Sequence, residues 1–217
     1  MVRRPGKLER RRRILQAARQ VFARGGYAAT RMTDIATAAG VGKGTLYEYF
    51  RGKEDLFSTL VVAVARESLE SLMIQRLPEE PTLALREVIA YVVDVALREN
   101  LDLYRLFFDF WGGAEGAAPH RKQAQEQLRD VEGRFAEFVR ELVLRGQREG
   151  AFRPEIDAGQ FVNLFVAAVD GLSVRMVILA QEVDLRAYTA CLQDVLVGSL
   201  TTGGPLKGAS VITERDK

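Results

Sequence analysis

Apolar positions along this chain recur at helical rather than strand spacing almost from end to end. Ile14, Leu15, Ala18, Val21 and Phe22 fall three and four residues apart, one face of a helix. The stretch RGGY that follows, Arg24 to Tyr27, supplies glycines where a helix C-cap is expected. Two short helices are predicted next, over Thr33–Ala39 and Lys43–Phe50, with Thr33 as the N-cap of the first and Asp34 in its opening turn. Gly40 between them is the expected left-handed turn residue. Glu54 and Asp55 then open a longer helix, apolar at Leu56, Phe57, Leu60, Val61 and Val64, that runs towards Leu77.

The stretch PEEPT, Pro78 to Thr82, is the clearest break, and a domain boundary is expected near it. Beyond it, Leu85, Val88, Ile89, Val92 and Ala96 mark a helix, and LDLYRLFFDFW a short aromatic one. GGAEGAAP reads as a loop, after which Pro119 begins a long amphipathic helix through Leu128, Val131, Phe135, Phe138, Val139 and Leu142. REGAFRPEID is another loop, followed by two apolar helices over Ala158–Gln181 and Leu185–Leu200. No alternation of period two persists. The fold class is all-α, with about nine helices, and a tail over 201–217 expected to be disordered.

Composition narrows the setting. With 217 residues, 47% hydrophobic and 28% charged, the chain is an ordinary globular one with a sizeable core. One cysteine, Cys191, excludes an internal disulfide and suits a reducing cytoplasm. The start, MVRRPGKLERRRRILQ, has no apolar segment of a secretory signal. The longest apolar region, Phe161 to Ala180, is interrupted by Asn163, Asp170, Ser173 and Arg175, which would be costly in lipid, so a buried helix is expected and no membrane span.

Charge is where the chain stops being ordinary. Residues 1–53 hold thirteen Lys and Arg against Glu9, Asp34 and Glu48, a net of +10; the rest carries 31 − 13 = 18 bases and 29 − 3 = 26 acids, a net of −8. Such asymmetry points to a basic, polyanion-binding module joined to an acidic body, with a solvated basic tail as the plainer alternative.

Within that basic segment, GVGKGT (Gly40 to Thr45) suggests a phosphate-cradling loop, but the pattern fails. The position five before Gly42 is Thr37 rather than glycine, Gly44 replaces the hydroxyl residue after Lys43, and the preceding TDIATAAG is helical instead of a buried strand. Two short helices joined by a glycine turn fit a helix-turn-helix instead, whose second helix enters the major groove. Gly42 and Gly44 let its backbone approach DNA closely, Lys43 and Thr45 reach bases or phosphates, and Leu46 and Phe50 face the motif's own core. Tyr47 and Tyr49 lie off that face, where a phenol can bond a phosphate. Arg31 and Thr33 at the first short helix and Lys53 after the second complete the candidate DNA-binding set.

The run TRMTDIATAAGVGKGTLYEYFRGKEDLF, Thr30 to Phe57, resembles the DNA-binding signature of the TetR family of bacterial one-component regulators. The positions that carry the resemblance are Thr30, Asp34, Ile35, Ala36, Ala39, Gly40, Val41, Gly44, Thr45, Leu46, Tyr47, Tyr49, Phe50, Lys53, Glu54 and Leu56; the upstream helix and its GY ending also match. Two positions depart from the pattern. Gly42 stands where the family commonly has a capping serine or threonine, and Met32 where many relatives have a small or polar residue. The resemblance is close over residues 10–60 and rests on architecture alone elsewhere. It implies a homodimer in which two three-helix heads read a palindromic operator in double-stranded DNA, released by a small molecule bound in the body. Its domains would be a basic arm and helix-turn-helix over 1–53, a connecting helix over 54–80, and a helical ligand-binding and dimerisation domain over 81–200.

The body is less readable. LYRLFFDFW packs five aromatics into nine residues. Tyr104, Phe107, Phe108 and Trp111, with Phe135, Phe138, Phe161, Phe165 and the polar Arg175, form a candidate pocket for a small hydrophobic or aromatic effector, against a plainer reading as core. Asn163, Asp170 and Arg175, and Asp109 among the aromatics, are expected to be buried polar groups that pair together, cross a dimer interface or orient a ligand. Asp170 and Gly171 resemble the place where relatives pack helices at the dimer seam, and Tyr188, Leu192, Val195 and Leu196 form a stripe suited to it. His120 is the sole histidine and reads as a solvated helix-start residue, so no metal-ligand cluster and no cofactor are expected. No catalytic triad can be assembled either, so no enzyme is expected. A rival reading is an enzyme acting on a lipophilic substrate, which leaves the N-terminal pattern unexplained. Another is a DNA-coating protein without sequence preference, and an activator is a variant within the family.

Overall fold

The computed structural model describes residues 6–112 and 118–201, and side chains there except those of 109–112 and 118–121. Arg3 and Arg4 of the basic arm, the side chains of Asp109, Trp111, Pro119 and His120, the loop over 113–117 and the tail from residue 202 onward lie outside the described residues. Among the described residues run nine α-helices: α1 Lys7–Ala29, α2 Met32–Ala38, α3 Lys43–Tyr49, α4 Lys53–Met73, α5 Pro81–Ala90, α6 Leu101–Gly112, α7 Ala118–Arg148, α8 Ala158–Val177 and α9 Leu185–Leu200. A π-helix, Tyr91–Leu97, joins α5 to α6. The described residues contain no strand, only an isolated antiparallel bridge between Phe152 and Thr201.

Three expectations need correction. The N-cap of α2 is Arg31 and not Thr33, because Asp34 reaches back and its Oδ2 accepts the Arg31 backbone N–H at 3.1 Å. Helix α4 stops at Met73 instead of reaching Leu77. Val92 and Ala96 belong to the π-helix rather than to a continued α5.

The chain divides into two compact units that alternate along the sequence. The first comprises Met1–Gln75, Ala96–Phe135 and Leu172–Gln181; the second comprises Arg76–Val95, Ala136–Gly171 and Glu182–Lys217.

In the first unit one apolar core gathers Ile14, Leu15, Ala18 and Phe22 of α1, Met32, Ile35 and Ala36 of α2, Leu46 and Phe50 of α3, Leu56, Phe57 and Leu60 of α4, and Leu103 and Leu106 of α6. Burying each large side chain of this set contributes about 1.5–3 kcal/mol. Phe22, Tyr27 and Phe57 make an aromatic triad, with Phe22 edge-on to Phe57 at 5.3 Å and Tyr27 at 5.1 Å from Phe57. Gly26 adopts φ +73°, a left-handed value that breaks α1 near its end and turns Tyr27 inward. Lys53 then closes the corner. Its Nζ donates to the carbonyls of Tyr27 (2.8 Å) and Ala28 (3.1 Å), the orphan acceptors at the end of α1, and lies 4.6 Å from the centre of the Tyr27 ring.

In the second unit α5 packs on α9, tied by Arg86 to Asp194 at 2.9 Å and by Gln193 Nε2 donating to the Arg86 carbonyl at 2.8 Å. Helix α5 starts at Pro81, with the Glu80 carboxylate accepting the backbone N–H of Thr82 and Leu83, each at 2.8 Å. The loop between α7 and α8 is fixed by Phe152, fully buried, whose ring lies directly over Gly146. Arg153 N–H donates to the Leu200 carbonyl at 2.7 Å, and Gln147 Nε2 donates to the carbonyls of Arg153 and Ile156.

Two expectations follow from these packing details. A Cβ at Gly146 would overlap the Phe152 ring. Gly146→Ala should therefore lower stability by about 1–3 kcal/mol, even after a gain of roughly 1 kcal/mol in helix propensity. Gly133→Ala in the same helix, where a Cβ meets nothing within 4 Å, should be neutral or stabilising. Thermal melting of the two variants checks this, and equal melting would sink the packing argument. The Glu80 carboxyl is held below its ordinary pKa, chiefly by the Thr82 hydrogen bond. A depressed carboxylate stabilises above its unfolded pKa and loses that contribution as pH falls through the folded value. The melting difference between wild type and Glu80→Gln should thus be present at pH 7 and shrink below about pH 4.

Candidate nucleic-acid interface

Helix α3 is seven residues long and divides cleanly between two sides. Leu46 and the capping Phe50 are buried in the core of the first unit, at 0% and 1% exposure. Lys43, Gly44, Tyr47 and Glu48 are exposed, and their spacing places them together on the opposite face. Thr45 is half-buried, and Tyr49 is half-buried against the core rather than displayed. Gly42 is the N-cap, in extended conformation and without a side-chain hydrogen bond. A Cβ added at Gly42 or Gly44 would meet no atom within 4 Å. Packing within the chain therefore does not require glycine at either site; what the glycines provide is open surface.

Gly40 has φ +61°, as a tight left-handed turn between α2 and α3 demands. Arg31 and Thr33 are exposed at the start of α2, and Thr37, which sequence reasoning did not single out, is exposed one turn on. Met32 is buried in the core at 8% exposure, so its departure from the family pattern concerns packing. Lys53 is engaged by the carbonyls of α1 described above.

The opening of α1 lies beside this motif. The guanidinium of Arg11 sits 5.5 Å from the centre of the Phe50 ring at the end of α3. Lys7, Arg12 and Arg13 are exposed and Arg10 is half-buried. Among the described residues, none of these four nor Lys43 takes part in a salt bridge. Among the described residues their charge has no ion-pair partner, a condition that favours binding of a polyanion.

The residues expected to line a pocket have different settings. Helix α6 is two-sided: Leu103 and Leu106 enter the core of the first unit, whereas Tyr104, Phe107 and Phe108 are half-buried, with Phe107 and Phe108 edge to face at 6.0 Å. Phe135 and Phe138 are half-buried; Phe161 and Phe165 are buried. The Trp111 side chain lies outside the described residues. Arg175 is exposed, and so are Asn163 and Asp170. The expectation that these three are buried polar groups is therefore corrected.

All three lie on one outward face of α8, where Leu164 (62% exposed), Ala167 and Gly171 accompany them, with Ile178 (56%) just past the helix end. Helix α8 is long and apolar enough to cross a membrane by length and composition, yet only 33% of its most apolar window is buried. Helix α9 is split similarly. Leu192 and Leu196 are buried, Tyr188 is half-buried with its hydroxyl donating to the Ala168 carbonyl at 3.0 Å, and Val195 is 61% exposed. The expected stripe of four is thus two buried leucines beside an exposed valine, with Gly171, Ala187 and Cys191 also outward. Among the described residues no group of three His, Cys, Asp or Glu is placed to hold a metal.

Comparison with known proteins agrees with this arrangement. The family model described as bacterial regulatory proteins, tetR family, matches residues 14–60, and the model of the BetI-type transcriptional repressor C-terminal region matches residues 81–201. The chain is 29% identical over 167 residues to the uncharacterized HTH-type transcriptional regulator YhgD of Bacillus subtilis, covering 75% of this chain and 83% of that one. It is also 29% identical to the HTH-type transcriptional regulator TtgR of Pseudomonas putida, over 82% of this chain and 84% of that one. Among solved structures, the transcriptional regulator FadR from Bacillus subtilis in complex with stearoyl-CoA superposes with a TM-score of 0.65 at 20% identity, covering 87% and 98% of the two chains. With a tetR-type helix-turn-helix at one end and a repressor-type helical region across the rest, the chain belongs to the TetR family of bacterial transcriptional regulators.

Proposed function

We propose that the protein is a cytoplasmic homodimeric repressor that binds a palindromic operator and is released by a small hydrophobic or aromatic effector. The observation that carries the reading is the two-sided α3: a helix fixed by Leu46 and Phe50 while Lys43, Gly44 and Tyr47 are offered outward. Lys43 and Thr45 supply donors for base edges or phosphates, Tyr47 a phenol for a phosphate, and Arg31 and Thr33 flank them from α2. Gly42 and Gly44 let the DNA backbone come close. Lys7, Arg10, Arg12 and Arg13 of α1 add sequence-independent phosphate contacts and a steep salt dependence.

The dimer reading rests on the outward faces of α8 and α9. Leu164 and Val195 together with the small Gly171 suit close helix packing, and leaving so apolar a helix as α8 in water would be unfavourable. A two-fold pairing of these faces would present two heads to successive major grooves, hence a palindrome. For the effector, the half-buried aromatic side of α6 (Tyr104, Phe107 and Phe108) is the favoured contact surface. A neighbour in structure is complexed with stearoyl-CoA, which fits a lipophilic class.

Anisotropy of a labelled duplex from the gene's own upstream region, titrated against excess random duplex, tests the reading. A repressor should prefer its operator by about 10³ or more, and a ratio near one would point to a DNA-coating protein. Lys43→Ala and Tyr47→Phe should each weaken operator binding by roughly 5- to 100-fold, at about 1–3 kcal/mol per contact, with little change in melting. A large fall in melting temperature in either would mean that core had been mistaken for contact surface. Leu164→Glu should weaken the dimer at least about tenfold in sedimentation equilibrium; an unchanged dimer would place the interface elsewhere.

A further inference from the structure

Residues 1–53 carry thirteen bases and three acids, Glu9, Asp34 and Glu48. The first two acids have local uses. Glu9 stands in the opening turn of α1, where the helix dipole favours a negative charge. Asp34 occupies the opening turn of α2 and accepts the Arg31 backbone N–H at 3.1 Å. Glu48 has no such use. It is the sixth of the seven residues of α3, near the end where the dipole disfavours a carboxylate. It is exposed, and among the described residues no ion pair joins it to Lys43 or to Arg51, three residues on. Folding gives no reason for an acid here, and binding to a polyanion gives a reason against one.

Its place on the helix supplies a reason for it. In an α-helix each Cα–Cβ bond tilts toward the N-terminus, so a side chain covers the surface of the turn before its own. For Glu48 that surface belongs to Gly44, four residues back, where a Cβ would meet no atom within 4 Å. The carboxylate thus has clear space over the N-terminal half of α3, the part of a recognition helix that reaches base edges.

Which base it meets follows from its lone pairs. An ionised carboxylate only accepts hydrogen bonds. On the major-groove edge guanine offers two acceptors, and thymine an acceptor and a methyl group, so neither gives it a partner. Adenine's N6 amine sits beside the acceptor N7, whereas the N4 amine of cytosine has no acceptor next to it. Cytosine is the base that suits an acid.

We propose that Glu48 is a specificity-determining residue, its carboxylate accepting from the N4 amine of one cytosine in each operator half-site. The same charge repels phosphates and lowers affinity for other sequences, so discrimination comes from attraction and repulsion together. The proposal rests on the DNA-binding reading of α3 and deepens it.

The test starts with the full-length wild type and its Glu48→Ala variant, each used to select duplexes from a random-sequence library. Wild type should enrich a cytosine at one position of each half-site, and Glu48→Ala should lose that preference. Anisotropy then compares the duplex selected by wild type, the same duplex with that C:G pair changed to T:A in one half-site, and random duplex. The change should weaken wild type by roughly 5- to 100-fold and leave Glu48→Ala within about twofold. Glu48→Ala and the isosteric Glu48→Gln should both bind random duplex about two- to tenfold more tightly at low salt, since a charge that repels phosphates is gone. A residue that merely supported the fold would, when replaced, lower affinity for every duplex. Loss of that kind in both variants, or the same cytosine selected by Glu48→Ala, would overturn the proposal. So would a wild type that binds duplexes but enriches no cytosine. A wild type that binds no duplex at any salt concentration would instead sink the DNA-binding reading itself, an outcome seen before any variant is made.

Discussion

A helix of seven residues cannot hold itself together in water, because nucleation costs more than so few hydrogen bonds return. The pose of α3 is therefore set entirely by what grips it from behind. Leu46 and Phe50 are the grip, and they engage a core built by α1, α2, α4 and α6. The other features of the first unit serve that constraint. Gly26 turns Tyr27 under the end of α1, Lys53 stitches the turn to α4, and Gly40 sets the angle between α2 and α3. Few of these residues need touch a ligand for the recognition surface to fail without them.

Most of the fold was legible in the sequence because amphipathic periodicity survives in every long helix, and the glycine turn has one physical meaning. Local chemistry was harder to read. Thr33 is a good capping residue by type, but Asp34 accepts the backbone N–H of Arg31, and the helix starts two residues earlier. The π-helix left no trace, since Val92 and Ala96 continue the period of α5; the switch to i→i+5 bonding concerns the backbone, which the side-chain pattern does not record. Gly146 carries no signal in the sequence, because the Phe152 ring that packs against it comes from the following loop.

The candidate interface divided along the same line. Exposure of Lys43, Gly44 and Tyr47 followed from helix phase, whereas the involvement of Lys53 with α1 depended on a contact 26 residues away that no spacing rule supplies. In α8 the sequence showed polar residues in an apolar helix and suggested burial. The structure places Asn163, Asp170 and Arg175 outward beside Leu164, so the helix is apolar on both sides and polar only at intervals on one. A single chain cannot distinguish a buried helix from one awaiting a second copy, because both need the same composition.

The open space around Gly42 and Gly44 bears on how such a protein changes over generations. Where no neighbouring atom of the chain constrains a residue, folding sets no limit on its substitution, and on the function proposed above only the DNA does. On that proposal, new side chains on this face alter which sequence is preferred while folding and abundance stay as they were. After gene duplication, drift in binding preference could thus begin on α3 and run ahead of change in the core behind it. Two copies could come to govern different genes while their frameworks stay interchangeable.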